Sequence, residues 1–315
     1  MHFAFTSDQL QIRDSVRSML ASECPPAVVR AGAQEVWAQL AALGVLGINL
    51  PEEVGGLGMG PVEWVLLCEE AGRAALPLPL TETLALNPAL TEAGLHELAA
   101  AVATGEKQVT VGTTHYVDAD RVAQIFTWQD EQLLTIDAPS CTPVTSVSAQ
   151  RRIFTVTGSL RPLPGHAGAL RDRLLVGTAA ELLGLAERQL ELAVAYSKER
   201  QQFGKAIGSF QAIQHHLSNA LLALSFAKPV VYRAAWSLAE GDPEASIHAA
   251  MAKAQASDAA YTVRRLALQV HGAIGYTLEY DLHLWMKRSM ALEAAWGNAG
   301  FHRARIAEAF ELPSL

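Results

Sequence analysis

Apolar residues recur at three- and four-residue intervals along most of this chain, the spacing of one helical face, and give way to β-favouring runs only in a middle stretch. Thr6-Ser7-Asp8-Gln9 reads as a capping box opening a helix that carries Leu10, Val16, Met19 and Leu20 and stops at Pro25-Pro26. A second helix is predicted over 34–43, ending before Gly44. The stretch 51–58 is too rich in glycine for regular structure. Further helices are predicted over 62–74 and 94–104, with Pro77 and Pro79 punctuating the connection between them.

From Lys107 the β-favouring runs cover 108–111, 122–128, 132–136 and 152–156, separated by turn residues. Leu163-Pro164-Gly165 reads as the boundary to a second helical region. One helix is predicted over 169–198 and another over 209–240, with Pro229 kinking or dividing it. Asp242, Pro243 and Glu244 read as the N-cap, first helical position and first-turn acid of a helix running to about 270. A last helix is predicted over 282–310. Four long helices with short connections predict an antiparallel bundle. The expected fold is mainly α with a small β domain: an N-terminal helical domain over 1–105, a reduced β domain over 106–165, and a four-helix bundle over 166–315.

Composition narrows the function classes. At 315 residues, half of them apolar, the chain has enough material for a large core or several packed subdomains. Its net charge of −8 comes from interspersed acids and bases, which argues against nucleic-acid or anionic-membrane partners. No apolar run reaches the roughly 18 residues of a membrane span. The opening Met1-His2-Phe3-Ala4-Phe5 lacks the basic start of a secretory signal. Cys24, Cys68 and Cys141 are odd in number and far apart, and read as thiols of a reducing cytoplasm rather than metal ligands.

Candidate chemistry lies in two loops between the long helices. Arg200-Gln201-Gln202-Phe203-Gly204-Lys205-Ala206-Ile207-Gly208-Ser209-Phe210-Gln211 places an arginine beside glutamines, an aromatic and a glycine turn. A guanidinium there can give two parallel hydrogen bonds to a diphosphate. Gln269-Val270-His271-Gly272-Ala273-Ile274-Gly275-Tyr276-Thr277 closes a helix with glycines, which let backbone amides approach a ligand closely. Together the loops resemble the paired R-x-x-F-G-x-x-I-x-x-F-Q and Q-x-x-G-G-x-G-Y/F motifs of the acyl-CoA dehydrogenase family, with Ala273 at the second glycine. The string from Leu43 to Gly58 is similar to that family's N-terminal domain.

The resemblance implies FAD and an acyl-CoA substrate, with Arg200, Gln202, Phe203 and Gln211 from the first loop contacting the cofactor. From the second loop it implies Gln269, Gly272, Ala273 and Gly275. It also implies a glutamate base that takes the α-proton while flavin takes the β-hydride. The two positions family members use for that base are occupied by Trp296 and Leu174, so no catalytic residue is expected. Glu293 is the fallback, and Glu181 is the one other nearby carboxylate. The β region is short for the family and lacks the recognisable elements that seat the flavin ring.

The preferred reading is therefore a non-catalytic subunit that lends its loops to FAD shared with a full-length acyl-CoA dehydrogenase subunit. Electron-transferring flavoprotein is the implied acceptor, and bulky thioesters such as steroid side chains are the implied substrates. A non-redox structural or binding homo-oligomer and a self-sufficient dehydrogenase with a relocated glutamate stand as alternatives.

Overall fold

The computed structural model describes residues 4–311; Met1, His2 and Phe3, part of the reading of the chain's opening, lie outside them. α1 (Ser7–Glu23) starts at the expected capping box. Thr6 Oγ1 accepts from Gln9 N at 3.2 Å and Gln9 Oε1 accepts from Thr6 N at 2.9 Å. Next come α2 (Pro26–Ala31), α3 (Val36–Ala42), α4 (Pro61–Arg73), α5 (Leu80–Glu92) and α6 (His96–Ala103). Pro26 thus ends one helix and opens another, as the first residue of α2.

The segment assigned to a proline-punctuated connection is the helix α5. Leu84, Leu86 and Leu90 are buried together with Thr83 and Asn87. A helix buried all round shows no amphipathic stripe, and Pro88 inside it masks the signal further.

The sheet follows as β1 (Val109–Val111), β2 (Tyr116–Val117), β3 (Gln124–Gln129), β4 (Gln132–Val144) and β5 (Ile153–His166), in the order β1-β3-β4-β5-β2. β1 runs parallel to β3 and the other pairs are antiparallel. β4 and β5 are far longer than the β-favouring runs predict, because each strand's extension, carrying Pro139 and Pro143 in β4 and Pro162 and Pro164 in β5, pairs through the backbone with the predicted run of the other, as Val144 with Ile153 and Leu134 with Pro162. Leu163-Pro164-Gly165 accordingly lies inside β5, not between elements.

α7 (Ala167–Glu199) is a single 33-residue helix. It leads through the short strands β6 (Gln201–Gln202) and β7 (Lys205–Ala206) into α8 (Gln211–Ala239), which is continuous through Pro229. α9 (Ala245–His271) begins two residues after the expected first helical position, Pro243, with Glu244 in place of Asp242 as the N-cap residue. Asp242 still acts locally, its Oδ1 accepting from Glu244 N at 2.9 Å. The last predicted helix is two: α10 (Leu282–Ala294) and α11 (Ala299–Ala309), broken at Trp296 and Gly297 with φ of +59° and +96°.

One core crosses from the N-terminal helices to the bundle, joining Trp64 and Leu67 of α4 to Leu182 and Leu183 of α7. The two helices touch through glycine. A Cβ on Gly184 would meet Glu69 O at 1.8 Å, and one on Gly72 would meet Glu181 O at 2.0 Å. Among the described residues no helix is long and apolar enough to cross a membrane.

Candidate functional site

The two motif loops lie at one end of the bundle. α7 ends at Arg200 in extended conformation, and β6 and β7 form a hairpin turning at Phe203 (φ +51°) and Gly204 (φ +76°), a turn with two left-handed residues. Ile207 N donates to Arg200 O at 2.8 Å and closes the loop. Phe203 is 91 % exposed at the tip. Arg200, Gln202 and Gln211 are exposed, and among the described residues no carboxylate stands within ion-pair distance of Arg200.

The second loop is pinned to the first by aromatic packing. Tyr196, one helical turn before Arg200, stacks on His271 with centroids 4.6 Å apart, and His271 Nε2 lies 3.1 Å from Tyr280 Oη. Gly272 follows at φ +64°, with open space where a Cβ would be. Gly275 differs: it is buried, and a Cβ there would meet Leu268 Cδ1 at 2.8 Å, so its glycine serves packing.

Gln269, Gly272 and Ala273 line a groove of about 740 Å³ between α8 and α9, shared with Asn219 and Arg265. Arg265 lies four residues before Gln269, on the same helical face. Its guanidinium carbon stands 5.6 Å from the Tyr261 ring centroid, and no carboxylate among the described residues pairs with it. That i, i+4 spacing is a signal the motif reading passes over. The groove does not include Arg200, Gln202 or Phe203, which sit on the adjacent hairpin. Two unpaired guanidiniums and accessible glycine backbone fit the diphosphate end of a flavin dinucleotide.

A second, larger cleft of about 980 Å³ lies between the sheet and the bundle at the other end of α7, where Arg171 and Leu175 form part of its wall. Arg200 follows Leu175 by 25 residues of one unbroken helix, about 37 Å at 1.5 Å per residue. Trp296 lines this cleft and stacks on Trp128, with centroids 5.9 Å apart and planes 25° apart. Leu174 is buried beneath it and does not reach the cleft.

None of the described residues lining the cleft is an Asp or Glu. Glu293 turns instead to Arg264, its Oε2 accepting from Nη2 at 3.0 Å, and to Ser289 Oγ at 3.1 Å. Glu181 is deep in the core, accepting from Arg288 Nε at 2.6 Å and Thr81 Oγ1 at 2.9 Å.

The Trp296 turn is held from behind. Burial pushes the Lys253 ammonium down to about 8, so it is charged at neutral pH. It donates to Ser257 Oγ, Glu293 O and Gly297 O at 3.2, 3.2 and 3.1 Å. His302 is wholly buried, with Nε2 3.0 Å from Trp296 O, a contact that needs the proton on Nε2. Burial and the Lys253 charge push its imidazole down to about 4.

Below pH 6.5 the unfolded chain therefore takes up a proton at His302 that the folded chain refuses. Stability should fall as pH drops from about 6.5 to about 4, with a slope of up to about 1.4 kcal/mol per pH unit from this residue. Urea midpoints at pH 7 and pH 5 check this. The decline should be shallower in His302→Gln, and an equal decline in both proteins would remove His302 as its source.

Known proteins share this architecture. The acyl-CoA dehydrogenase N-terminal domain matches residues 6–103 and the acyl-CoA dehydrogenase C-terminal domain matches 172–310. The acyl-CoA dehydrogenase IpdE2 of Mycolicibacterium smegmatis is 33 % identical over 288 residues, covering 88 % of this chain and 91 % of that protein. Its namesake from Mycobacterium tuberculosis is 32 % identical over 300 residues, covering 90 % and 91 %.

Among solved structures, butyryl-CoA dehydrogenase from Megasphaera elsdenii superposes with a TM-score of 0.88 at 22 % identity, over 99 % of this chain and 100 % of that one. The ChsE4-ChsE5 complex from Mycobacterium tuberculosis superposes with a TM-score of 0.87 at 22 % identity, over the whole of both chains. With the two loop motifs on one bundle end, both terminal domains matched and relatives of near-equal span a third identical, the chain belongs to the acyl-CoA dehydrogenase family.

Proposed function

We propose that this chain is a supporting subunit of a heteromeric acyl-CoA dehydrogenase, lending its bundle-end loops to FAD whose ring and catalytic base belong to a full-length partner subunit. The observation that carries this reading is the separation within the molecule. The phosphate-suited loops are exposed about 37 Å along α7 from the chain's own cleft, whose described lining residues include no carboxylate base. The loops are thus placed to serve a site other than that cleft.

In this arrangement Arg200 and Arg265 hold the diphosphate, Gln202, Gln211 and Gln269 give neutral hydrogen bonds, and Phe203 packs beside the dinucleotide. The Gly272 and Ala273 backbone lies close against it. Bound flavin supplies the hydride acceptor for α,β-desaturation of an acyl-CoA thioester, with electron-transferring flavoprotein as the onward acceptor. Leu221, Leu222 and Phe226 form an exposed apolar strip on α8, suited to a partner bundle. The related ChsE4-ChsE5 assembly is itself a complex of two named proteins. A cytoplasmic location agrees with three cysteines that are all free thiols.

The test co-expresses the chain with a full-length family member and measures flavin content and dissociation constant. The chain alone should purify with little flavin, and the complex with flavin bound. Arg200→Ala should weaken flavin binding by the complex roughly ten- to a hundredfold, the worth of a charge-assisted contact of about 1.5–3 kcal/mol. Arg200→Lys should recover part of it, because an ammonium keeps the charge and loses the fork. Stoichiometric flavin and turnover in the chain alone, or unchanged affinity in Arg200→Ala with the complex intact, would refute the proposal.

A further inference from the structure

His271 stands inside the second loop motif, yet the flavin reading gives it no contact. Its side chain is buried where three segments meet: the last turns of α7, the end of α9 and the return of the chain into α10. It does not line the groove beside it, so whatever it does for a ligand there passes through its neighbours.

The geometry fixes the state of the ring. Nδ1 lies 2.7 Å from Ala267 O, one helical turn back along α9. A carbonyl only accepts, so Nδ1 carries the proton. Nε2 is then a bare acceptor, and the Tyr280 hydroxyl donates to it across 3.1 Å. Burial pushes the imidazole down from its ordinary value, which keeps it neutral at pH 7. Tyr196 stacks on the ring with centroids 4.6 Å apart and planes 23° apart, and the Tyr280 ring lies 4.8 Å away at 53°. The two tyrosines also meet edge-on at 5.9 Å, so each of the three side chains touches the other two.

Each member is joined to a motif loop. Tyr196 O accepts the last helical bond of α7 from Arg200 N at 2.9 Å. His271 directly precedes Gly272, whose φ of +64° and ψ of −143° turn the chain out of α9 in a conformation that favours glycine. Tyr280 closes the loop 272–279, in which Thr277 N and Oγ1 both bind Ile274 O, bonds internal to the loop. Ile207, whose N donates to Arg200 O, packs in the same apolar cluster as Tyr196 and Tyr280. One buried imidazole therefore ties the arginine hairpin to the glycine turn.

We propose that His271 is a positioning residue: in its Nδ1–H form it clasps Tyr196 and Tyr280 and sets the separation at which a single diphosphate reaches both Arg200 and the Gly272 backbone. It does so without touching the ligand. The gain is preorganisation, since loops already at the right distance lose less freedom on binding. This inference rests on the flavin reading above.

The experiment reads flavin dissociation constants in the complex with a full-length family member and hydrogen exchange in the chain alone. His271→Phe keeps a ring for Tyr196 to stack on and loses both hydrogen bonds, whereas Tyr280→Phe loses only the hydroxyl. Flavin binding should weaken about tenfold in the first and about threefold in the second. The double variant should be no weaker than His271→Phe, because the hydroxyl's partner is already gone. His271→Gln, whose Oε1 can accept from Tyr280, should recover part of the affinity.

In the chain alone, the amides of 201–206 and 272–279 should exchange about fivefold faster in both phenylalanine variants, with the buried middle of α9 unchanged. Nitrogen NMR of the imidazole should show the proton on Nδ1. Leu182→Ala, a core change in α7, should lower the urea midpoint and leave flavin affinity and loop exchange as they are. Circular dichroism reports folding, and if His271→Phe does not fold, Tyr280→Phe tests the same bond.

Lost flavin affinity in Arg200→Ala with none lost in folded His271→Phe or Tyr280→Phe would overturn this proposal and leave the flavin reading standing. Unchanged loop exchange, a neutral ring protonated at Nε2, or an equal flavin loss in Leu182→Ala would also overturn it. Unchanged affinity in Arg200→Ala strikes the flavin reading itself, and the positioning role with it.

Discussion

Replacing Glu181 with alanine should destabilise the chain by about 3–5 kcal/mol, the cost of leaving a buried charge without its partner. Glu181 and Arg288 are 3 % and 5 % exposed. The carboxylate accepts from Arg288 Nε at 2.6 Å and from Thr81 Oγ1 at 2.9 Å, tying α7 to α10 and α5. Without it the Arg288 guanidinium, whose Nη1 already lacks a partner, would remain in an apolar core. The urea midpoint followed by circular dichroism measures the loss.

Glu181→Leu with Arg288→Met should cost much less than either single change, because both charges leave together. This separates a structural carboxylate from a catalytic one. A relocated base would lose activity in Glu181→Gln at unchanged stability, whereas a core ion pair loses stability first. A cost below about 1 kcal/mol for Glu181→Ala would remove the ion-pair argument.

Gly184→Ala should destabilise by about 3 kcal/mol or more, opposite in sign to what helix propensity alone dictates. Glycine inside a helix costs about 1 kcal/mol relative to alanine, so α7 by itself would gain from the change. The added Cβ, however, would sit 1.8 Å from Glu69 O and 2.7 Å from Arg73 N on α4, and neither is a flexible side chain that can swing away. α4 must therefore move off α7, opening the core around Trp64, Leu67 and Leu183.

Gly168→Ala is the control. It lies on the same helix, and its Cβ would approach nothing nearer than Glu131 Oε2, the end of a flexible side chain, at 3.3 Å. That variant should be neutral or slightly stabilised. Thermal unfolding of the two variants beside the parent gives the comparison, and equal behaviour would discount the close crossing of α4 and α7.

The features legible in the chain are those written in consecutive residues. The Thr6 capping box, the Arg200 hairpin and the Gln269–Tyr276 turn are local devices, and each is where the sequence reading places it. The long helices were legible because one face of each is apolar at helical spacing. α5 was not, since it is buried all round, and the extensions of β4 and β5 were not, since backbone pairing rather than side-chain alternation holds them. Arg265 lies outside both loop motifs, and the one trace of it in the chain is its i, i+4 relation to Gln269, with which it shares a groove.

The sequence by itself determined the mostly helical architecture, the kinship with acyl-CoA dehydrogenases and the absence of a carboxylate at Trp296 and Leu174. Only the tertiary structure decided what surrounds those residues. The left-handed turn at Trp296 and Gly297 that follows α10 is held by Lys253, which donates to the Gly297 carbonyl from 44 positions earlier in the chain. Glu181 is an ion-pair residue because Arg288, 107 positions later, reaches it. Arg305 faces a cleft assembled from the sheet, α7, α10 and α11. Propensity and capping act within a few residues of the chain, whereas burial, ion pairing and cleft walls come from residues that only folding brings together.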